Sequence, residues 1–94
     1  MKWLEIIELR SIDSNREQLE LLLQKLIIEV EKETKKRATK AYSRVMIDTD
    51  FSIHLFHDSI KVEYCGSPLG LRISSALKDY GSVNHSIWTE LKSK

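Results

Sequence analysis

Any chemistry in this chain must start from three histidines, one cysteine and the carboxylates near them. His54 is the leading acid–base candidate. It falls on a strand pattern, on the same side as Phe56, with Glu8 expected on the neighbouring strand. A carboxylate beside an imidazole fixes its tautomer and raises its pKa. The plainer reading is a polar group rimming an apolar contact. His57-Asp58 could join His54 and His85 around a metal, but His54 and His57 are three residues apart and point to opposite faces of a regular strand. His85 belongs to a strand expected to be separated from theirs, so no metal is expected.

Cys65-Gly66-Ser67 stands just before a predicted helix, where a thiol's pKa falls, yet no motif supplies a partner base. The Ser67-Pro68-Leu69-Gly70 turn has the position of an anion site. It lacks the glycine density of a phosphate loop and Pro68 removes a donor, so it reads as a helix cap. Phe56 and Trp88 could stack on a flat ligand or a nucleobase, though the core of an interface is the stronger reading for both. An RNA-binding sheet would require aromatic and basic residues in a defined strand motif, and Asp50-Phe51-Ser52-Ile53-His54-Leu55-Phe56 does not supply one.

These residues must be positioned by six elements. Residues 3–10 read as a strand with Trp3, Glu5, Ile7 and Leu9 on one face and Leu4, Ile6, Glu8 and Arg10 on the other. Apolar side chains on both faces mark a central strand. Ser14 and Glu17 form a capping box for a helix, whose stripe is Leu19, Leu22, Leu23, Leu26, Ile27 and Val30. Leu21 and Ile28 sit on its opposite side. At about 1.5 Å per residue, residues 15–36 extend roughly 33 Å, longer than a strand of about 23 Å.

Two strands follow, 42–47 and 51–57, joined by Asp48-Thr49-Asp50. Residues 58–66 fit either an extension of this hairpin or a loop. Ser67 and Pro68 then begin a second helix with Leu69, Ile73, Ala76, Leu77 and Tyr80 as its stripe and Gly81 as its stop. A last strand covers 83–91.

Ninety-four residues make a single domain over 1–94. The formal net charge of +1 asks for neither nucleic acid nor a membrane surface. Residues 31–44 nevertheless hold six basic residues against Glu31 and Glu33. Lys35, Lys36, Arg37 and Lys40 could therefore form a weak nucleic-acid or anion contact, though a solvated helix end is the plainer reading. The lone cysteine makes no internal disulfide, and no signal-peptide or membrane-spanning pattern is visible. A cytoplasmic location and no cofactor are expected.

The order strand, helix, two strands, helix, strand predicts an α+β fold in which both helices cover one face of a four-stranded antiparallel sheet. This outline resembles the ferredoxin-like βαββαβ fold over nearly the whole chain. In length and strand patterning it is similar to the dimeric α+β-barrel proteins, whose enzymes include cofactor-independent monooxygenases. The resemblance implies a homodimer and, as one alternative, such an enzyme acting on an aromatic substrate.

The patterning itself leaves Leu4, Ile6, Met46, Phe56 and Trp88 on the face away from the helices. A second copy packed on that face would cover them, each fully buried large side chain contributing roughly 1.5–3 kcal/mol. The gap, lined by His54, Glu8, Arg44, Phe56, Trp88 and Asn84, is the expected small-ligand site.

Overall fold

The structure, a computed structural model, describes residues 1–12, 16–34 and 38–91. Its elements are β1 (Lys2–Ser11), α1 (Arg16–Thr34), β2 (Thr39–Ser43), β3 (Asp50–Asp58), α2 (Pro68–Leu77) and β4 (Gly81–Thr89). The strands form one antiparallel sheet in the order β2-β3-β1-β4. This is an α+β fold of ferredoxin-like topology. β1 is central, as its two apolar faces demand.

Register sorts the sheet into rows. On the helix side Trp3 pairs with His57 and Thr89, Glu5 with Leu55 and Ile87, Ile7 with Ile53 and His85, and Leu9 with Phe51 and Val83. The core is built there: Ile7, Leu9, Phe51, Ile53 and Leu55 pack against Leu19, Leu23 and Val30 of α1 and Ile73 and Leu77 of α2. Alternation puts Leu4, Ile6, Glu8 and Arg10 on the opposite, open face. Leu21 and Ile28 are exposed on the outside of α1.

Three sequence expectations need correction. The second strand is Thr39–Ser43, not 42–47. Val45, Met46 and Ile47 instead lie in the β2–β3 connection, so Val45 and Ile47 do not face the helices and Met46, 94 % exposed, is not part of the sheet. The reason is local. Arg44 N donates to Asp50 O and Asp50 N to Ile47 O, closing a turn in which Met46 takes a left-handed φ of 64°. Ser11 holds that turn to β1, donating from both N and Oγ to Thr49 O.

Gly81 does not stop α2, which ends at Leu77. It opens β4 opposite Ser11, where a Cβ would stand 2.1 Å from Arg10 O. Only a residue without a side chain lets the two backbones meet so closely. Residues 59–67 form a loop, the second of the two alternatives. Ser14, Lys35, Lys36 and Arg37 lie outside the described residues, and with them the proposed capping box and most of the basic helix end. Lys40 is exposed on β2.

Candidate functional site

Of the six residues expected to line the ligand site, Arg44 stands in the β2–β3 connection, beyond the end of the second strand, and reaches the open face through Asp50. The open face itself carries the other five. Its rows are Ala38, Phe56, Leu4 and Trp88; then Lys40, His54, Ile6 and Ser86; then Tyr42, Ser52, Glu8 and Asn84. Arg10, Asp50 and Ser82 form a further row. Phe56 is 45 % and Trp88 56 % exposed.

Two depressions mark this face. One, of about 610 Å³, lies at the end of the sheet, lined by Leu4, Phe56 and Trp88 with Lys2, Asp58 and Glu90, and it reaches round to Trp3, His57 and Thr89. The other, of about 370 Å³, has a polar lining that includes Glu8, Arg44 and Asn84. The apolar and polar halves of the expected site are therefore separate, with the His54 row between them.

In the polar depression Arg10 Nε donates to Asp50 Oδ1 at 3.3 Å and Arg44 NH1 to Oδ2 at 3.1 Å. Burial opposes the Asp50 charge, but donors from Arg10, Thr49 and Arg44 outweigh it and hold the carboxyl below its usual range. His54 hydrogen-bonds Ser52 Oγ at 3.2 Å and meets the Tyr42 ring edge-on, centroids 4.7 Å apart.

Burial pushes the His54 pKa down, and the negative charge of Glu8 only partly opposes this. The expected upward shift is thus reversed. Glu8 lies one row away, and no hydrogen bond from it to His54 exists to offset the desolvation of a cation. Trp88 Nε1 donates to Ser86 Oγ at 2.8 Å, which fixes the indole against the sheet.

A second polar constellation lies on the helix side, and sequence reasoning missed it. Glu5 is fully buried between Trp3 and Ile7. Its Oε1 accepts from Ser67 N at 2.8 Å and His85 Nε2 at 2.9 Å. Its Oε2 accepts from His57 Nε2 at 2.6 Å and Ser67 Oγ at 2.5 Å. The strand that separates His57 from His85 carries the carboxylate that joins them. Both imidazoles present Nε2–H to the carboxylate, which sets their tautomer.

The four donors satisfy every lone-pair direction of a buried charge. Burial alone would push the Glu5 carboxyl up, but the Ser67 hydroxyl, the Ser67 backbone and the two imidazoles outweigh it and hold it below the usual carboxylate range.

This cluster docks α2. Ser67 caps the helix, its Oγ accepting from Gly70 N at 3.0 Å while donating to Glu5. The carboxylate thus sits at the positive end of the helix dipole. Gly70 leaves room for it, since a Cβ there would lie 2.2 Å from Glu5 Oε1. Gly66, at φ +102°, turns the chain into the cap. His57 stacks on the buried Trp3 at 4.0 Å between centroids, and Trp3 Nε1 donates to Ser59 Oγ.

The signal for this cluster was strand parity. A carboxylate at an inward position needs partners, and His57 and His85 were the imidazoles of matching parity on the flanking strands. Cys65 is exposed beside the cap. Among the described residues no group of three or more ligating side chains is arranged to hold a metal ion, and no helix is long and apolar enough to cross a membrane. Compared with known proteins, the chain matches no family model, no curated protein and no solved structure.

Proposed function

We propose that the protein is a homodimeric binding module, paired through the open faces of its sheets in the manner of a dimeric α+β barrel, with a small ligand held between them. The observation that carries this reading is the row Ala38–Phe56–Leu4–Trp88, which presents two large aromatic rings to solvent on a flat sheet face. Single exposed apolar residues are ordinary, but contiguous ones mark contact surfaces.

Size supports a second copy as the occupant. Strands of ten, five, nine and nine residues, at about 3.3 Å per residue and about 4.8 Å between strands, present roughly 520 Å² per copy. Two such faces would bury roughly 1,000 Å², about the least a specific pairing needs. Charge supports it too, because Glu8 and Asp50 share the face with Arg10 and Arg44, so the face carries both signs and no net repulsion.

A small, flat, largely apolar ligand suits the depression over Phe56 and Trp88, with the Arg10–Asp50–Arg44 group offering polar contacts at the far end. The exposed lone cysteine suits a reducing, cytoplasmic setting.

Sedimentation velocity of the wild type against Phe56→Asp and Trp88→Asp tests the pairing. The wild type is expected to sediment as a dimer at micromolar concentration and both variants as folded monomers. A wild-type monomer would remove the reading.

A further inference from the structure

We propose that protonation of His54 separates the two copies, making self-association of this protein dependent on pH; the inference rests on the paired-sheet reading. His54 occupies the middle row of the open face, on one of the two central strands. A partner sheet laid on that face would cover it from above. Its side chain is already half-buried in the isolated chain, flanked by Tyr42 and Phe56.

The surroundings of the ring suit a neutral imidazole. Ser52 Oγ offers a hydrogen bond that either ring state can use. Directly across on β2 stands Lys40, a like charge, with Tyr42 next along that strand. Directly across on β1 stands apolar Ile6, with Glu8 one row further. Beyond β1, β4 contributes only Ser86 and Asn84 at these rows. On β3 itself the nearest carboxylates, Asp50 and Asp58, are four residues away in each direction. Asp50 already accepts from Arg10 and Arg44.

Glu8 is therefore the one carboxylate acting on the ring, and it does not hydrogen-bond to it. Capping this row with a second sheet removes the water that now solvates an imidazolium. The covering sheet brings its own Lys40, Glu8, Arg10, Arg44 and Asp50, the last already paired with the two arginines. Neither copy hydrogen-bonds a carboxylate to its own ring, so a charge trapped there is costly. Each copy brings one His54, so two charges would be buried together. Pairing is favoured while the imidazoles are neutral and weakens as pH falls through the value of the free chain. An imidazole whose pKa drops by one unit on pairing changes the dissociation constant about tenfold. For two, the change is roughly a hundredfold.

The test is sedimentation equilibrium of the full chain at pH 7.5 and pH 5.0, for the wild type, His54→Gln and His54→Leu, with far-UV circular dichroism confirming the fold. Glu5 is held by its four donors below the usual carboxylate range, and the circular dichroism at pH 5.0 reports whether the fold it supports is intact. The wild-type dissociation constant is expected to rise by about tenfold to a hundredfold at pH 5.0, while whichever variant folds stays paired equally at both pH values. A wild type that is monomeric at pH 7.5 overturns the paired-sheet reading and this inference with it. A wild-type dimer equally tight at both pH values, or a folded variant that weakens as much as the wild type, overturns the role of His54 and leaves the pairing intact.

Discussion

Replacing Glu5 isolates what a buried carboxylate contributes to this fold. In Glu5→Ala, Ser67 N, Ser67 Oγ, His57 Nε2 and His85 Nε2 all lose their acceptor. The two imidazoles retain some accessibility, 22 % and 15 % of their side chains, and water can reach them. The Ser67 donors are buried and cannot recover. Each unsatisfied buried donor costs about 1–3 kcal/mol, so the two of Ser67 alone give a loss of about 2–6 kcal/mol, to which the cavity left by the side chain adds. That is a large share of the roughly 5–15 kcal/mol typical of a domain.

Glu5→Gln keeps one oxygen for Ser67 N and His85, and loses about 1–2 kcal/mol. Urea unfolding followed by tryptophan fluorescence measures both, since Trp3 stacks on His57 within the cluster. The wild type should also lose stability in acid. Glu5 titrates below its ordinary value in the folded chain, so its contribution is complete above the unfolded value and fades as pH falls through the folded one. The Gln variant should show a flatter acid limb. A Glu5→Ala variant within about 1 kcal/mol of wild type, or identical acid limbs, would refute the reasoning.

Other substitutions follow from the same geometry. Gly70→Ala should destabilise by about 1–3 kcal/mol, the reverse of the gain expected at an open helix position, because its Cβ would meet the Glu5 carboxylate; chemical denaturation gives the sign directly. Met46→Gly should stabilise by roughly 1 kcal/mol in the same assay, since it relieves a left-handed φ at an exposed side chain with little packing to lose. Asp50→Asn should free Arg10 and Arg44 from their shared carboxylate. Its cost should be small and should shrink further in high salt, because both guanidinium groups are largely exposed.

Much of the architecture was legible because strand parity and helical spacing report burial directly. β1 read as central from apolar residues on both faces, and Ser67-Pro68 marked the start of α2. The second strand was not legible. Val45 and Ile47 alternate like a strand, yet Thr39 to Ser43 pairs with β3 and the apolar pair is spent on an exposed turn. Local alternation carries no information about which residues find a partner across the sheet.

At the site, the open-face residues were placed by parity alone. Glu5 was passed over because its role appears only once β1 lies between β3 and β4 and the loop before α2 folds back onto it. His54 was placed on the right face, but its electrostatics depend on a hydrogen bond to Glu8 that strand spacing does not form.

The central claim is that a second copy of the chain covers the row of Leu4, Phe56 and Trp88. Static light scattering across micromolar concentrations at neutral pH measures it most directly. The account predicts a solution mass of about twice the 11.0 kDa chain, falling toward a single chain only on dilution. A mass that stays at one chain throughout, with both aromatic rings left in water, would contradict it.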